Sequence, residues 1–364
     1  MNNTLDHGAK NRRKFLRSSL SVGAALAGST VLEPTLSAQQ SDAAAAKLSA
    51  GDIAILRFVA AAELIEADLW QQYAELGGIT TEAQNPYQTA LRNLDSDGSQ
   101  YITSNTLDEL SHAEFLNAYL ISKGAEPVDF DQFRVLPSSE ATGAQQTGRL
   151  TNLTQLTVDT SWYTRYRSAT NPDLGATFPQ ALPDLFAGQF TAIPRSNTDF
   201  SPTAHVQAIA NTAAFHFGMI EQAGSSLYAT LAQKVSNAQV LKIMLSIGGD
   251  EIAHFLEWVD FAGNAVSTPL APLKDPKTGL VFPAFDTENN PLLQPNLIFP
   301  VPCEFISANL PHCSVIRPTS PGQIDALGAA NGLIANGLFI GQSPEFTELL
   351  LNMARAADSA QRQL

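Results

Sequence analysis

Four segments of the chain carry apolar residues at helical spacing, and in each of them an acidic side chain interrupts the apolar face. In the first segment this face consists of Leu56, Val59, Glu63, Glu66, Trp70 and Tyr73. Residues three or four positions apart lie on one side of an α-helix, and the later faces are interrupted at Glu109, Glu221 and Glu251. The pattern predicts an all-α fold in which a bundle of four amphipathic helices buries these carboxylates in its core.

Capping and stop signals predict where these helices begin and end. Ser49 and Asp52 form a capping box before the first helix, and Pro202 suits the first position of the third helix. A fifth helix follows Ser343 near the end of the chain, with an apolar stripe suited to a core or oligomer contact. The predicted bounds of the first four helices are 49–77, 103–123, 201–235 and 237–262.

These helices divide the chain into three predicted parts. Residues 1–38 form a signal peptide, residues 39–264 form the bundle, and residues 265–364 form an irregular, proline-rich arm that ends in the fifth helix. A long crossover, 124–202, joins the second helix to the third, and its one strand-like run extends over 150–158. We expect the crossover's aromatic residues to cap one face of the bundle; they are Trp162, Tyr163, Tyr166, Phe178, Phe186 and Phe190.

Glutamate and histidine recur at a spacing that suits metal coordination. Residues three apart on a helix point the same way, about 4.5 Å apart along the axis. One such Glu-x-x-His pair is common by chance, but here two pairs occur, each after a lone glutamate on an earlier apolar helix. Four carboxylates in one dry core repel one another and are costly to desolvate, and two divalent cations remove that cost. The candidate metal ligands are Glu63, Glu109, His112, Glu221, Glu251 and His254.

The predicted ligand set favours particular metals and a particular chemistry. Mixed carboxylate and imidazole ligands suit two iron or manganese ions, and these helices offer no thiolate. Two such metals held close together can deliver two electrons to O2 or peroxide, so we expect a protein that oxidises Fe(II) or consumes a small oxidant. The alternative is a structural or stress-protection protein of the cell envelope in which metal, if bound, acts as a staple.

Three segments resemble the ferritin-like superfamily: AAELIEADLWQQYAEL, LDELSHAEFLNAYL and IGGDEIAHFLEWVDF. They are most similar to exported ferritin-like domain proteins, a group that includes plant desiccation-related proteins. The resemblance covers the four helices, about half of the chain, and implies a ferritin-like four-helix bundle. Carried over position by position, it implies terminal ligands at Glu63 and Glu221, bridging carboxylates at Glu109 and Glu251, and one imidazole for each metal from His112 and His254.

The chain departs from the family pattern beside the first ligand. Many ferritins carry a tyrosine seven residues after this glutamate, whereas this chain has Trp70, an apolar filler with one N–H donor. Tyr228 stands seven residues after Glu221 and supplies a phenol in the second half. Glu66, one turn beyond Glu63, is an alternative ligand or an acceptor for an imidazole N–H. We rank Glu63 first because it lies seven residues before the aromatic side chain.

The N-terminus resembles a twin-arginine signal peptide. Arg12 and Arg13 precede Phe15 and a mildly apolar run that ends in small residues near Ala38. The twin-arginine export machinery would be a partner, and the expected location is periplasmic or extracellular, reached by the folded protein. This run is too short and too rich in Gly and Ala to span a membrane, and no other stretch approaches about 20 apolar residues.

The charge balance excludes some classes of partner. The chain has 21 basic and 35 acidic residues, a net charge of −14, and cleavage after Ala38 would leave it more acidic still. Such a surface repels nucleic acid and anionic lipid and attracts cations.

The remaining cysteines and histidines receive modest predictions. Cys303 and Cys313 lie in a loop-rich segment, where an oxidising compartment favours a disulfide worth about 2 to 3 kcal/mol. A metal clip with His312 is the alternative, although it lacks the four ligands of a structural zinc site. His216 falls on another face than Glu221 and is expected to be packed or at the surface, and His205 belongs to no constellation.

Overall fold

The computed structural model describes residues 48–79, 84–165, 179–287, 300–301, 303, 306–315 and 325–363. The predicted signal peptide, 1–38, lies outside these residues. Within them the protein is mostly helical, which confirms the predicted all-α class. The helices are α1 Ala50–Gly77, α2 Pro86–Leu94, α3 Gly98–Ser122, α4 Ser161–Arg165, α5 Pro183–Ala187, α6 Thr203–Ala232, α7 Ala238–Ala265, α8 Ala326–Ala335 and α9 Pro344–Asp358.

The four long helices α1, α3, α6 and α7 form the bundle, with α1 packed along α3 and α6 along α7. Their caps follow the sequence signals: the Ser49 hydroxyl accepts a hydrogen bond from the Asp52 backbone N–H at 3.0 Å. Asn237 caps α7 in the same way. Pro202 differs from the prediction, because it is the N-cap residue of α6 and not its first helical residue. Among the described residues, no helix is long and apolar enough to cross a bilayer.

The crossover between α3 and α6 contains no strand where one was predicted. In the run 150–158, Leu156 forms a single bridge with Phe190. Its backbone donors bind partners on separate elements: Asp68 of α1 accepts hydrogen bonds from the backbone N–H groups of Leu150, at 3.0 Å, and Thr151, at 2.9 Å, and the Thr157 N–H donates to Asn336. Because these partners satisfy the donors, the segment does not need a partner strand. Two short antiparallel pairs occur instead in the C-terminal arm, β1 Leu273–Lys274 with β2 Val281–Phe282 and β3 Pro300–Val301 with β4 Cys313–Ser314.

Aromatic residues of the crossover pack against the bundle, as predicted for Trp162 and Tyr163. Both are buried, and their rings lie 5.7 Å from Phe255 and 5.4 Å from Phe215, respectively. Trp162 lies so close to Gly218 of α6 that a Cβ atom there would be 2.3 Å from the indole. Phe190 is partly buried against the same core, whereas Phe186 is exposed. Tyr166 and Phe178 lie outside the described residues.

The C-terminal helices pack on the bundle of the same chain. Helix α9 contacts α1 and α8, and α8 contacts α6. Phe346 of α9 is fully buried, with its ring 5.3 Å from Phe130 and 5.4 Å from Phe133. Asp358 at the end of α9 accepts hydrogen bonds from the first backbone N–H groups of α8, those of Ala326 and Leu327. The apolar stripe of the last helix therefore makes a core contact within the chain.

The predicted disulfide between Cys303 and Cys313 is not formed in this structure. The pairing of β3 with β4 places Val301 opposite Cys313, so Cys303 lies two residues beyond the facing position. Cys303 is buried, whereas Cys313 is exposed.

His205, for which the sequence suggested no role, is buried and links the segment before α6 to the turn between β1 and β2. Its Nδ1 lies 2.8 Å from Asp275 in the turn between β1 and β2, and its Nε2 lies 3.1 Å from Asp199 just before α6. Arg195 also binds Asp199, and burial, which opposes the ionised form, is outweighed by these hydrogen bonds, so the pKa of Asp199 lies well below its usual value. The sequence signal was too weak because the two aspartates lie 6 and 70 residues away from the histidine.

Candidate metal centre

Six predicted ligands from four helices meet in the middle of the bundle. All six residues are buried, and none exposes more than 9% of its surface. They are Glu63 of α1, Glu109 and His112 of α3, Glu221 of α6, and Glu251 and His254 of α7.

The six side chains form two overlapping groups, in each of which four possible ligand atoms lie within 4.8 Å of one another. Glu109 and Glu251 belong to both groups. The first group adds Glu63 and His112, and the second adds Glu221 and His254. These two shared carboxylates are the ones to which the family resemblance assigns a bridging role.

The two imidazoles face the carboxylates through the same ring atom. His112 Nδ1 lies 3.3 Å from Glu63 Oε2 and 3.3 Å from Glu109 Oε2. His254 Nδ1 lies 3.1 Å from Glu109 Oε1 and 3.3 Å from Glu221 Oε2. The centroids of the two rings are 6.4 Å apart. Each ring thus places one nitrogen at the centre and directs the other nitrogen outward.

The outward nitrogens meet two aspartates that the sequence reasoning missed. Asp250 Oδ2 lies 3.2 Å from His112 Nε2, and Asp108 Oδ2 lies 3.3 Å from His254 Nε2. Each aspartate therefore orients the imidazole on the opposite helix, and such partners fix the ring and its tautomer. The signal was present in the sequence, because both ligand pairs read Asp-Glu-x-x-His, as DELSH and DEIAH.

Replacing Asp250 by asparagine is expected to lower the affinity of the group around His112 for a divalent metal ion about 10- to 100-fold. The amide keeps the shape of the side chain but removes the charge that favours the Nε2–H tautomer. Titration of each metal by calorimetry checks this expectation. Asp260→Asn, at an exposed position of the same helix, is the matched control, and equal affinities of the two variants would contradict the role of Asp250.

Asn105, one helical turn before Glu109, connects the centre to the aromatic core. Its amide N–H donates to Glu109 Oε1 at 2.7 Å, and its carbonyl accepts from Trp258 Nε1 at 2.7 Å. Trp70, named from the sequence as a neighbour of the site, stacks on Trp258 with centroids 5.2 Å apart. Its own indole N–H has no acceptor among the described residues. Trp70 therefore packs behind Trp258, and its indole N–H does not bind any of the six central side chains.

Tyr228 and Glu66 take different positions beside the first-helix ligand. The Tyr228 phenol donates a short hydrogen bond to Glu63 Oε1, so the predicted second-half phenol reaches the first-half carboxylate. Glu66 belongs to neither group of ligand atoms, although its Oε2 is buried and has no hydrogen-bond donor among the described residues. The geometry agrees with the ranking of Glu63 ahead of Glu66.

Burial and mutual repulsion disturb the protonation of the centre when no cation is present. Burial and the nearby Glu221 and Glu63 charges raise the pKa of Glu109 to about 8, and burial with the Glu109 charge raises the pKa of Glu251 well above its usual value. Burial disfavours the charged form of His112, but hydrogen bonds to Asp250, Glu109 and Glu63 outweigh it and raise its pKa to about 12. In the absence of metal, protons therefore bind to the same side-chain atoms that could bind cations.

The donor set fits divalent cations. Both carboxylate oxygens of Glu251 and Oε1 of Glu221 are buried and have no hydrogen-bond donor among the described residues. A carboxylate left in this condition is costly, and a bound cation satisfies it. Carboxylate oxygens with one imidazole nitrogen for each group suit iron or manganese. Gly224 makes room for this arrangement, because a Cβ atom there would lie 2.2 Å from Glu251 Oε2.

A four-helix bundle that buries paired Glu-x-x-His motifs belongs to the ferritin-like class of carboxylate proteins. Residues 51–260 match the family model described as Ferritin-like domain, and the chain belongs to this family. No curated protein and no solved structure matches the chain. The C-terminal helices α8 and α9 lie beyond the matched residues.

Proposed function

We propose that this protein holds two iron or manganese ions and uses them to oxidise Fe(II) or to consume O2 or peroxide. Glu63 and His112 would hold one ion, Glu221 and His254 would hold the other, and Glu109 and Glu251 would bridge them. Such a pair of metals supplies two electrons together to a small oxidant. The observation that carries the proposal is the sharing of two buried carboxylates between two groups of ligand atoms.

The protein's own residues position the side chains of the centre. Asp108 and Asp250 orient the two imidazoles from outside. Asn105 orients Glu109, and the Tyr228 hydroxyl orients Glu63 by donating a hydrogen bond to it. Side chains of Asp108 and Asp250 are 41% and 43% exposed, so this side of the bundle presents negative charge to solvent. It supports entry of cations between α3 and α7.

We also propose export of the folded protein by the twin-arginine pathway to the periplasm or the cell exterior. The arginine pair at Arg12 and Arg13 with the following apolar run supports this. The ligands come from four helices spread over residues 63–254, so the centre exists after folding and not before. Export in the folded state would let the protein acquire its metal before it crosses the membrane.

Anaerobic loading with Fe(II), followed by exposure to O2, tests the proposed chemistry. We expect two metal ions per chain by elemental analysis, and rapid oxygen consumption with formation of Fe(III) measured by absorbance. Parallel loading with Mn(II) and addition of hydrogen peroxide identifies the preferred metal and oxidant. Two tightly bound ions with no reaction toward O2 or peroxide would instead favour the structural, stress-protection function, and less than one ion per chain would refute the metal centre.

A further inference from the structure

A small apolar pocket lies beside the metal centre, on the side of the bundle away from the exposed aspartates. Helices α1, α6, α8 and α9 line it, and its volume is about 40 Å³. Its walls include Phe58 and Leu69 of α1, Leu227 of α6 and Leu333 of α8. Interiors are normally packed to the density of organic crystals. A void that four helices leave open is therefore a feature to explain.

Small residues keep this pocket open. Ala62, Ala223, Gly224, Ala329 and Ala330 line it, and they come from three helices. Larger side chains at these positions would fill the space and add apolar contacts, which proteins ordinarily favour. Helix α8 supplies two of these residues although it lies beyond the family match, so this wall of the pocket is built by the C-terminal arm.

The inner end of the pocket reaches the ligands. Gly224 lines the pocket. It also lies against the carboxylate of Glu251, since a Cβ atom at Gly224 would be 2.2 Å from Glu251 Oε2. Glu66 is the one charged group among the described lining residues. Its buried Oε2 has no hydrogen-bond donor among the described residues, so a polar group stands between the apolar space and the carboxylates.

Size and polarity together select the occupant. A cavity of about 150 Å³ lined by Leu, Ile and Phe stays dry and binds benzene or xenon, so a space of 40 Å³ takes a smaller molecule. Ions and peroxide are poorly solvated by such walls. We propose that this pocket holds dioxygen and delivers it to the metal centre, while cations enter from the side of Asp108 and Asp250. This inference rests on the proposed function.

Xenon provides a test of the pocket that does not depend on activity. We expect one xenon atom between α1, α6 and α8 in xenon-pressurised crystals of the full-length protein, with or without metal. Ala330→Leu, which fills the pocket, should abolish this site. The matched control is Ala335→Leu on an exposed position of the same helix, and it should retain xenon. Absence of xenon from the pocket of the unaltered protein would overturn the proposal.

Kinetics of the Fe(II)-loaded protein test delivery. With O2 below saturation, we expect Ala330→Leu to slow oxygen consumption at least 10-fold while the metal content stays at two ions and the rate with hydrogen peroxide stays within twofold. An unchanged O2 rate with full metal loading would overturn delivery and leave the proposed function intact. A protein that binds xenon but no metal would refute the proposed function and the delivery with it.

A second variant covers the case in which Ala330→Leu does not fold, as judged by circular dichroism. Leu333→Ala enlarges the pocket from the same helix and should raise xenon occupancy at a given pressure without slowing the reaction with O2. Unchanged occupancy would show that the pocket is not the binding site and would overturn the proposal.

Discussion

Glu109→Ala is expected to abolish the binding of both metal ions, whereas Glu63→Ala is expected to remove one. The difference follows from the geometry, because Glu109 belongs to both groups of ligand atoms and Glu63 belongs to one. Elemental analysis after anaerobic loading and desalting should therefore give about zero ions per chain for the first variant and about one for the second. Glu251→Ala should behave like Glu109→Ala, and Glu221→Ala should behave like Glu63→Ala.

Glu114→Ala is the control for these variants, since Glu114 is an exposed glutamate on the same helix as Glu109. It should keep both ions. Two ions retained by Glu109→Ala would contradict the bridging assignment. One ion retained by Glu109→Ala would show that the two groups bind independently and that the carboxylate is not shared.

Glu251→Gln is expected to weaken metal binding but to stabilise the metal-free protein, so its loss of metal cannot come from a loss of folding. In the metal-free protein, Glu251 is buried and close to other carboxylates, and its oxygens have no hydrogen-bond donor among the described residues. Glu251→Gln removes this repulsion, and we expect it to stabilise the metal-free protein by on the order of 1–3 kcal/mol. Urea unfolding without metal measures this gain.

The sequence predicted the bundle, and it named the six side chains that the structure brings together at the centre, because both follow from local spacing. Apolar residues at a period of 3.6 place the core face of each helix, and a Glu-x-x-His pair needs no information beyond one helical turn. The cap at Ser49 is local in the same sense, and the structure contains its hydrogen bond from the Asp52 backbone N–H to the Ser49 hydroxyl.

Contacts between distant parts of the chain could not be predicted in this way. Asp108 and Asp250 act on histidines of the opposite helix, 146 and 138 residues away, and their role depends on how α3 and α7 face each other. The composition of the run 150–158 suits a strand, but Asp68 of α1 accepts hydrogen bonds from the N–H groups of Leu150 and Thr151. Tertiary context therefore overrode a local preference.

The pocket and the last helices show the same limit. An apolar stripe predicts that α9 is covered, but it does not say by what, and here the cover is the same chain. Alanine and glycine on three helices carry no pattern of their own, although together they leave a space beside the centre. Only the arrangement of helices reveals it.

The stability of the metal-free protein is expected to fall as the pH rises from 6.5 to 8, and bound metal should reverse this trend. The pKa of Glu109 rises from 4.5 to about 8 on folding, and that of His112 rises from 6.5 to about 12. A group whose pKa is raised contributes stability below its unfolded value and loses it as the pH climbs through its folded value. Both groups therefore act in the same direction across this window. The pKa of Asp250 is lowered. Its contribution to stability is therefore complete at any pH above its ordinary pKa, and it does not change between pH 6.5 and 8.

Each such group changes stability by up to about 1.4 kcal/mol per pH unit, so the metal-free protein should lose on the order of several kcal/mol between pH 6 and 9. Metal binding requires ionised carboxylates and a neutral imidazole, so cations displace these protons and bind more tightly as the pH rises. Urea unfolding of both forms at pH 6, 7, 8 and 9 measures the trend, and the gap between their midpoints should widen with pH. A gap that narrows would show that the protons and the metals do not compete for the same buried groups.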